Sequence, residues 1–263
     1  MDLGLAGKRA IVLGVANRRS IAWAIVQALA AEGMELCLTY QERMEESVRQ
    51  LAETLKNPVV LPCDVQRDEE IAEVFRTLES RWGALDVLVH SLAFAPREAL
   101  DGRFVDTTRQ AFATALDISA YSLVAVTRAA ESLLERAGGG SVITMTYLGS
   151  ERAMPGYNVM GVAKAALEAC VRYLAADLGP KQIRVNAISP GPMQTLAARG
   201  ISGFTDMYKH ARESAALRRT NDPEEIGGLA AFLCSHHARG TTGEVHYMDC
   251  GYRFLGLPPG VRG

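Results

Sequence analysis

No stretch of this 263-residue chain reaches eighteen uninterrupted apolar residues, so the sequence offers no transmembrane helix. The start, MDLGLAGKRAIVLG, lacks a basic stretch followed by an apolar run and a cleavage site, and no export signal is read there. Neither sign of charge dominates. With 28 Lys+Arg against 30 Asp+Glu, the formal net charge of −2 leaves no footprint for nucleic acid or an anionic membrane. The five cysteines (Cys37, Cys63, Cys170, Cys234, Cys250) are dispersed and show no C-x-x-C or Cys/His ligand spacing, which speaks against a disulfide framework or a metal site. They read as small buried hydrophobes in a reducing cytoplasm. Linkers, repeats and low-complexity tracts are also missing. With 48% hydrophobic residues, 1–263 is read as one domain.

Short β-branched runs alternate with longer stretches of helical period. The runs RAIVLGV, MELCLTY, PVVLPCD, DVLVHSLAF, SVITMTY, IRVNAISP and EVHYMDC predict a seven-stranded parallel sheet with helices on both faces, a doubly wound Rossmann-type α/β fold. Ile71, Val74, Phe75, Leu78 and Trp82 mark the clearest helix. Another starts at Asp222, with Pro223 in its first turn, Glu225 completing a capping box, and two glycines, Gly227 and Gly228, that require close packing. Thr108–Glu135 and Tyr157–Leu178 read as two long helices. Their apolar surplus suits either a subunit interface or a broad buried face.

In open α/β sheets ligands gather at the carboxyl ends of the strands. The first strand ends in GVANRRSIAWAI, where Gly14 permits a sharp turn and the helix from Ser20 would present free N–H groups to a phosphate. There is no G-x-G-x-x-G, and by itself this segment suits a plain turn equally well. Gln41 ends the second strand; it can hydrogen-bond a ribose, and Glu42 beside it disfavours a 2′-phosphate, so NADH is expected over NADPH, with Arg43 the opposing feature. Asp64 and Val65 suit an adenine, and the fourth strand ends in Ser91, Leu92, Ala93 and Phe94. Four successive strand ends then carry fitting groups.

The segment YLGSERAMPGYNVMGVAK places Lys164 seven residues after Tyr157, and Tyr147 ten residues before that tyrosine. On a helix, positions i and i+7 return to within ~20° of one line, so Tyr157 and Lys164 are expected to share a face, with the ammonium lowering the phenol's pKa. Taken in isolation, the pattern also suits two core tyrosines and an exposed lysine.

These residues, together with GVAN…SIA, HSLAFAP, DISAYS, YNVMGVAKAALEA and RVNAISPGP, give essentially the whole chain a resemblance to the short-chain dehydrogenase/reductase superfamily. Within it, the chain more closely resembles the bacterial NADH-dependent enoyl-acyl carrier protein reductases, which use tyrosine, six intervening residues, then lysine, with a second tyrosine ten residues upstream. The common superfamily pattern would put lysine at Gly161. Its serine would fall near Thr144–Thr146, and Asp117 stands where it has asparagine. The resemblance implies an NADH site of Gly14, Ala16, Ser20, Ile21, Gln41, Asp64, Val65, Ser91, Ala93, Lys164, Met193 and Thr195. It implies an acyl pocket of Ala95, Tyr147, Tyr157, Met160, Phe204 and Met207, with Tyr157, Lys164 and Tyr147 catalytic.

A stretch around 192–216, rich in glycine and of mixed polarity, suits a mobile lid. Arg199, Lys209 and Arg212 are candidates for a basic rim facing an acidic acyl carrier, or are ordinary solvated charges. The expected partners are therefore an enoyl thioester on acyl carrier protein and further copies of the chain, as a homotetramer through the two long helices. A carbonyl reductase on the same fold and a non-catalytic NADH sensor are the alternatives.

Overall fold

The central β-branched runs become strands buried on both faces, while the edge strands are only partly covered. The computed structural model describes residues 2–195 and 203–256. Its strands are β1 (Arg9–Leu13), β2 (Glu35–Tyr40), β3 (Val59–Pro62), β4 (Val87–His90), β5 (Gly140–Met145), β6 (Ile183–Pro190) and β7 (Val245–Met248). They form one sheet in the order β3-β2-β1-β4-β5-β6-β7, all neighbours parallel. The chain winds one way from β1 to β3 and the other way from β4, so the crevice opens between β1 and β4.

Alternation along the strands feeds two cores. Ala10 and Val12 join Val89, Ile143 and Ile188 on the face covered by α1 (Ile21–Ala31) and α9 (Pro223–Cys234). Ile11 and Leu13 join Leu88, Val142 and Val185 beneath α3 (Asp68–Trp82), α6 (Ser122–Arg136) and α7 (Val159–Leu178). In α3 the apolar stripe Ile71, Val74, Phe75 and Leu78 is buried, each such side chain stabilising the fold by roughly 1.5–3 kcal/mol. The helices α2 (Glu45–Ala52), α4 (Arg97–Leu100), α5 (Arg109–Leu116) and α8 (Phe204–Ser214) complete the set among the described residues.

Glu225 closes its capping box on the Asp222 amide at 2.8 Å. A Cβ on Gly227 would lie 2.7 Å from the Ala24 carbonyl oxygen of α1, so the α1/α9 contact requires that glycine. Gly228 faces open space, and packing does not explain it.

The stretch read as one helix from Thr108 to Glu135 is continuous only through a widened π turn at Asp117–Tyr121. Side chains hold the bulge. Ser119 Oγ donates to the Phe94 carbonyl at 3.1 Å and accepts the Phe94 amide at 3.0 Å, while Ser122 Oγ donates to the Ile118 carbonyl at 2.6 Å. Helical periodicity cannot register one extra residue in a turn.

Candidate active site

At the sheet's switch point, backbone crowding dictates Gly14. Its φ is +98°, and a Cβ there would stand 2.0 Å from the Ser91 carbonyl oxygen, so β1 and β4 approach only because the residue is glycine. Ser20 then caps α1: its Oγ accepts the Trp23 amide at 3.3 Å and donates to the Asn17 carbonyl at 2.7 Å. No acidic residue occupies the first turn of α1, which starts at Ile21, so its positive dipole end suits a pyrophosphate. The Ala16 carbonyl, held by Ser47 Oγ at 2.8 Å, ties this turn to α2.

The other strand ends fall along the same edge. Gln41 follows β2. Past β3, Asp64 accepts the Gln66 amide on Oδ1 at 3.1 Å, and its own amide donates to Glu70 at 2.6 Å; Val65 is buried. Gln66 Nε2 reaches Asp117 Oδ2 at 3.2 Å, joining the end of β3 to the π turn. Ser91 and Ala93 follow β4, and Met193 is buried after β6, its carbonyl accepting the Thr195 amide at 2.8 Å. A glycine cradle, a helix N-terminus clear of acids and polar groups at consecutive strand ends fit a dinucleotide.

Tyr157 is not on the helix that carries Lys164, which corrects the shared-face expectation. α7 starts at Val159; Gly156 (φ +74°) and Asn158 (φ +39°) take left-handed conformations that keep Tyr157 in the preceding turn. The tyrosine is positioned by contact with the loop after β5 instead. A Cβ on Gly149 would meet its ring at 2.4 Å, and the Tyr147 ring packs against it edge to face at 5.1 Å between centroids. Burial, with Tyr147 and Glu168 nearby, pushes the Tyr157 phenol far above its ordinary value; burial does the same to Tyr147. The expected lowering by Lys164 is overturned, because desolvation of a phenolate dominates. The Tyr157 phenol is therefore protonated.

Lys164 itself is 4% exposed and donates from Nζ to the Met145 carbonyl at 2.7 Å. Burial lowers its pKa to about 8, with Glu168 acting against the shift. The layer beneath it escaped the sequence reading. Thr146 Oγ1 donates to Glu168 Oε1 at 2.6 Å, while His90, fully buried, bonds Thr144 through Nδ1 and Ser122 through Nε2, both at 2.8 Å. Ser122 spends its proton on Ile118, so His90 Nε2 is the donor to Ser122 and Nδ1 accepts from Thr144. The threonines at the superfamily's serine position thus serve structure. Their only signal was a run of hydroxyls and one histidine inside otherwise apolar strands.

On the substrate side, Ala95 and Met160 belong to one buried cluster with Val159 and Ala163, against which Tyr157 packs. Tyr147 Oη approaches Met207 Sδ at 3.6 Å, and the Phe204 and Tyr208 rings meet at 6.0 Å on α8. Lys209 and Arg212 are exposed on α8; Arg199 lies outside the described residues, as does 196–202 of the expected lid.

Fold and site together define a dinucleotide-dependent oxidoreductase of the short-chain dehydrogenase/reductase type. A family model described as enoyl-(acyl carrier protein) reductase matches residues 14–253. The chain is 52% identical over 259 residues to an NADH-dependent enoyl-[acyl-carrier-protein] reductase of Nostoc sp., covering 97% of this chain and all of the relative. The corresponding protein of Bacillus subtilis is 49% identical over 255 residues, covering 96% and 98%. Among solved structures, the Bacillus cereus enoyl-acyl carrier protein reductase with NADP+ and an indole naphthyridinone superimposes with a TM-score of 0.94 at 51% identity, covering 98% and 100%. The Anaplasma phagocytophilum enzyme in complex with NAD gives 0.93 at 45%, covering 97% of each chain. The chain belongs to the enoyl-(acyl carrier protein) reductase family.

Proposed function

We propose that this protein is an NADH-dependent enoyl-acyl carrier protein reductase that reduces the trans-2 double bond of enoyl thioesters in fatty-acid elongation. The observation that carries the reading is the Tyr147–Tyr157 pair at 5.1 Å, with Tyr157 kept protonated by burial and Lys164 buried on α7, in a chain half identical to such reductases. When bound, NADH supplies the hydride that adds to the β-carbon. As that bond forms, negative charge develops on the thioester oxygen. The Tyr157 hydroxyl donates to this oxygen, and because burial keeps the phenol protonated the donor is in place before the reaction. Lys164 would hold the cofactor ribose, and a proton delivered to the α-carbon by Tyr157 or water would complete the reduction. Tyr147 shapes the pocket near the thioester, and Ala95, Met160, Phe204 and Met207 line the acyl path.

α8 acts as the lid, and its exposed Lys209 and Arg212 meet the acidic carrier protein. The assembly is a homotetramer built on α5–α7; its support is the exposure of Phe112, Tyr121 and Tyr173, the last at 76%. All five cysteines are free thiols, in keeping with a cytoplasmic enzyme, and no helix among the described residues is long and apolar enough to cross a membrane.

The test follows NADH absorbance with a short trans-2-enoyl thioester, beside a 3-ketoacyl thioester and repeated with NADPH. Oxidation with the enoyl substrate is the expected result; consumption with the ketoacyl substrate alone would refute the assignment.

A further inference from the structure

A carboxylate buried beside the site has no role in the reaction described so far. Glu168 sits one helical turn after Lys164 on α7 and is 8% exposed. A carboxylate offers about four acceptor positions, yet its one side-chain partner among the described residues is the neutral Thr146 hydroxyl at 2.6 Å. Burying an ionised carboxylate on a single neutral hydrogen bond is costly unless a cation shares the cavity. Lys164, one turn earlier on α7 and in no direct ion pair with Glu168 among the described residues, is the cation whose charge couples to it. The two are cross-braced: Lys164 Nζ donates to the carbonyl of Met145, and the next residue, Thr146, donates to Glu168. The end of β5 thereby holds both ends of an i, i+4 pair on α7.

We propose that Glu168 is a positioning residue for cofactor binding, its carboxylate held by Thr146 as the fixed counter-charge that keeps the Lys164 ammonium in place at the β5–α7 seam. The proposal rests on Lys164 being the ribose-binding residue. Glu168 touches neither substrate nor cofactor and acts through the lysine. Its charge opposes the desolvation that would otherwise neutralise the amine. The other groups facing the pair are His90 from β4, Tyr157 from the turn before α7 and Tyr247 from β7. Burial keeps His90 neutral and both phenols protonated between pH 6 and pH 9, whereas the lowered pKa of Lys164 falls inside that range.

The test measures NADH affinity by fluorescence from pH 6 to pH 9, without substrate. Wild-type affinity should decline as the pH rises through about 8. In Glu168→Gln the amide oxygen still accepts from Thr146 while the charge is gone. Its decline should start about one pH unit lower, a roughly five- to tenfold loss of affinity at pH 8 with near-equality at pH 6. Thr146→Val removes the bond that holds the carboxylate, so its midpoint should fall between those of wild type and Glu168→Gln. An unchanged midpoint in a folded Glu168→Gln protein overturns the proposal. If that variant does not fold, Glu168→Asp decides instead: retention of the wild-type midpoint supports the counter-charge, and a downward shift refutes it. Lys164→Ala separates the two layers of the argument. Weak, pH-independent binding supports the lysine's role, whereas wild-type binding removes that role and this proposal with it.

Discussion

Lowering the pH from 7 to 4 should destabilise this protein through one side chain buried under the site. His90 is neutral in the folded state, its pKa lowered by burial and by Lys164 from 6.5 to about 3. The unfolded chain takes up a proton near pH 6.5 and the native chain does not, so between those values the unfolded state binds more protons. Stability present above pH 6.5 is therefore withdrawn as the pH falls toward 3, at up to ~1.4 kcal/mol per pH unit and roughly 4–5 kcal/mol over the whole window. That is a large share of a typical folding free energy of about 5–15 kcal/mol. The assay is urea unfolding at fixed protein concentration between pH 7 and pH 4, on wild type and His90→Gln. The substitution leaves Thr144 imperfectly satisfied and should cost about 1–3 kcal/mol at pH 7. Carboxylates titrate in both proteins and cancel in the comparison, so the variant's stability should fall less steeply with acid. Equal slopes would refute the reasoning, because they would mean that His90 takes a proton in the native state without penalty.

Gly14→Ala brings a Cβ within 2.0 Å of the Ser91 carbonyl oxygen, so NADH affinity should fall at least tenfold in fluorescence titration. Tyr157→Phe should lower kcat by about two to three orders of magnitude with NADH affinity within about threefold of wild type, as expected for a donor felt mainly in the transition state; near-normal turnover would remove Tyr157 from that role. Gly161→Ala places a Cβ 2.6 Å from the Gly149 carbonyl oxygen and should lower kcat/KM at least tenfold by displacing Tyr157, which packs on the same loop. Tyr173→Glu puts a charge on the 76% exposed ring of α7 and should reduce the assembly's mass in light scattering, with the far-ultraviolet circular dichroism unchanged.

The sheet was legible because its physics is periodic. Strands buried on both faces must be apolar throughout, as Ala10–Leu13 and Val87–Val89 are, and the helices between them repeat at 3.6 residues. The cofactor edge was legible because topology places ligands there and because four successive strand ends, rather than the Gly14–Ser20 turn alone, carry fitting groups. Geometry that depends on a single residue was not. The π turn at Asp117–Tyr121, the left-handed Asn158 that puts Tyr157 off the helix, and the protonation of that tyrosine each follow from contacts between distant segments. The layer of His90, Thr144, Thr146 and Glu168 was hidden for the same reason: its partners lie 54 positions apart for His90–Thr144 and 22 for Thr146–Glu168.

The seven-residue spacing has a steric explanation that helical periodicity did not provide. Four residues after Tyr157 stands Gly161, where a Cβ would enter the Gly149 carbonyl at 2.6 Å, and Gly149 in turn has no Cβ because the Tyr157 ring occupies that space at 2.4 Å. The two glycines let the loop after β5, the tyrosine and the first turn of α7 collapse on one another. No lysine fits at 161 on this backbone. The cation is carried one turn further along, at Lys164, where it reaches the Met145 carbonyl at 2.7 Å in a buried seam. Burial keeps the Tyr157 phenol neutral, which suits the proposed hydrogen bond to an oxygen that gains charge while hydride enters two carbons away.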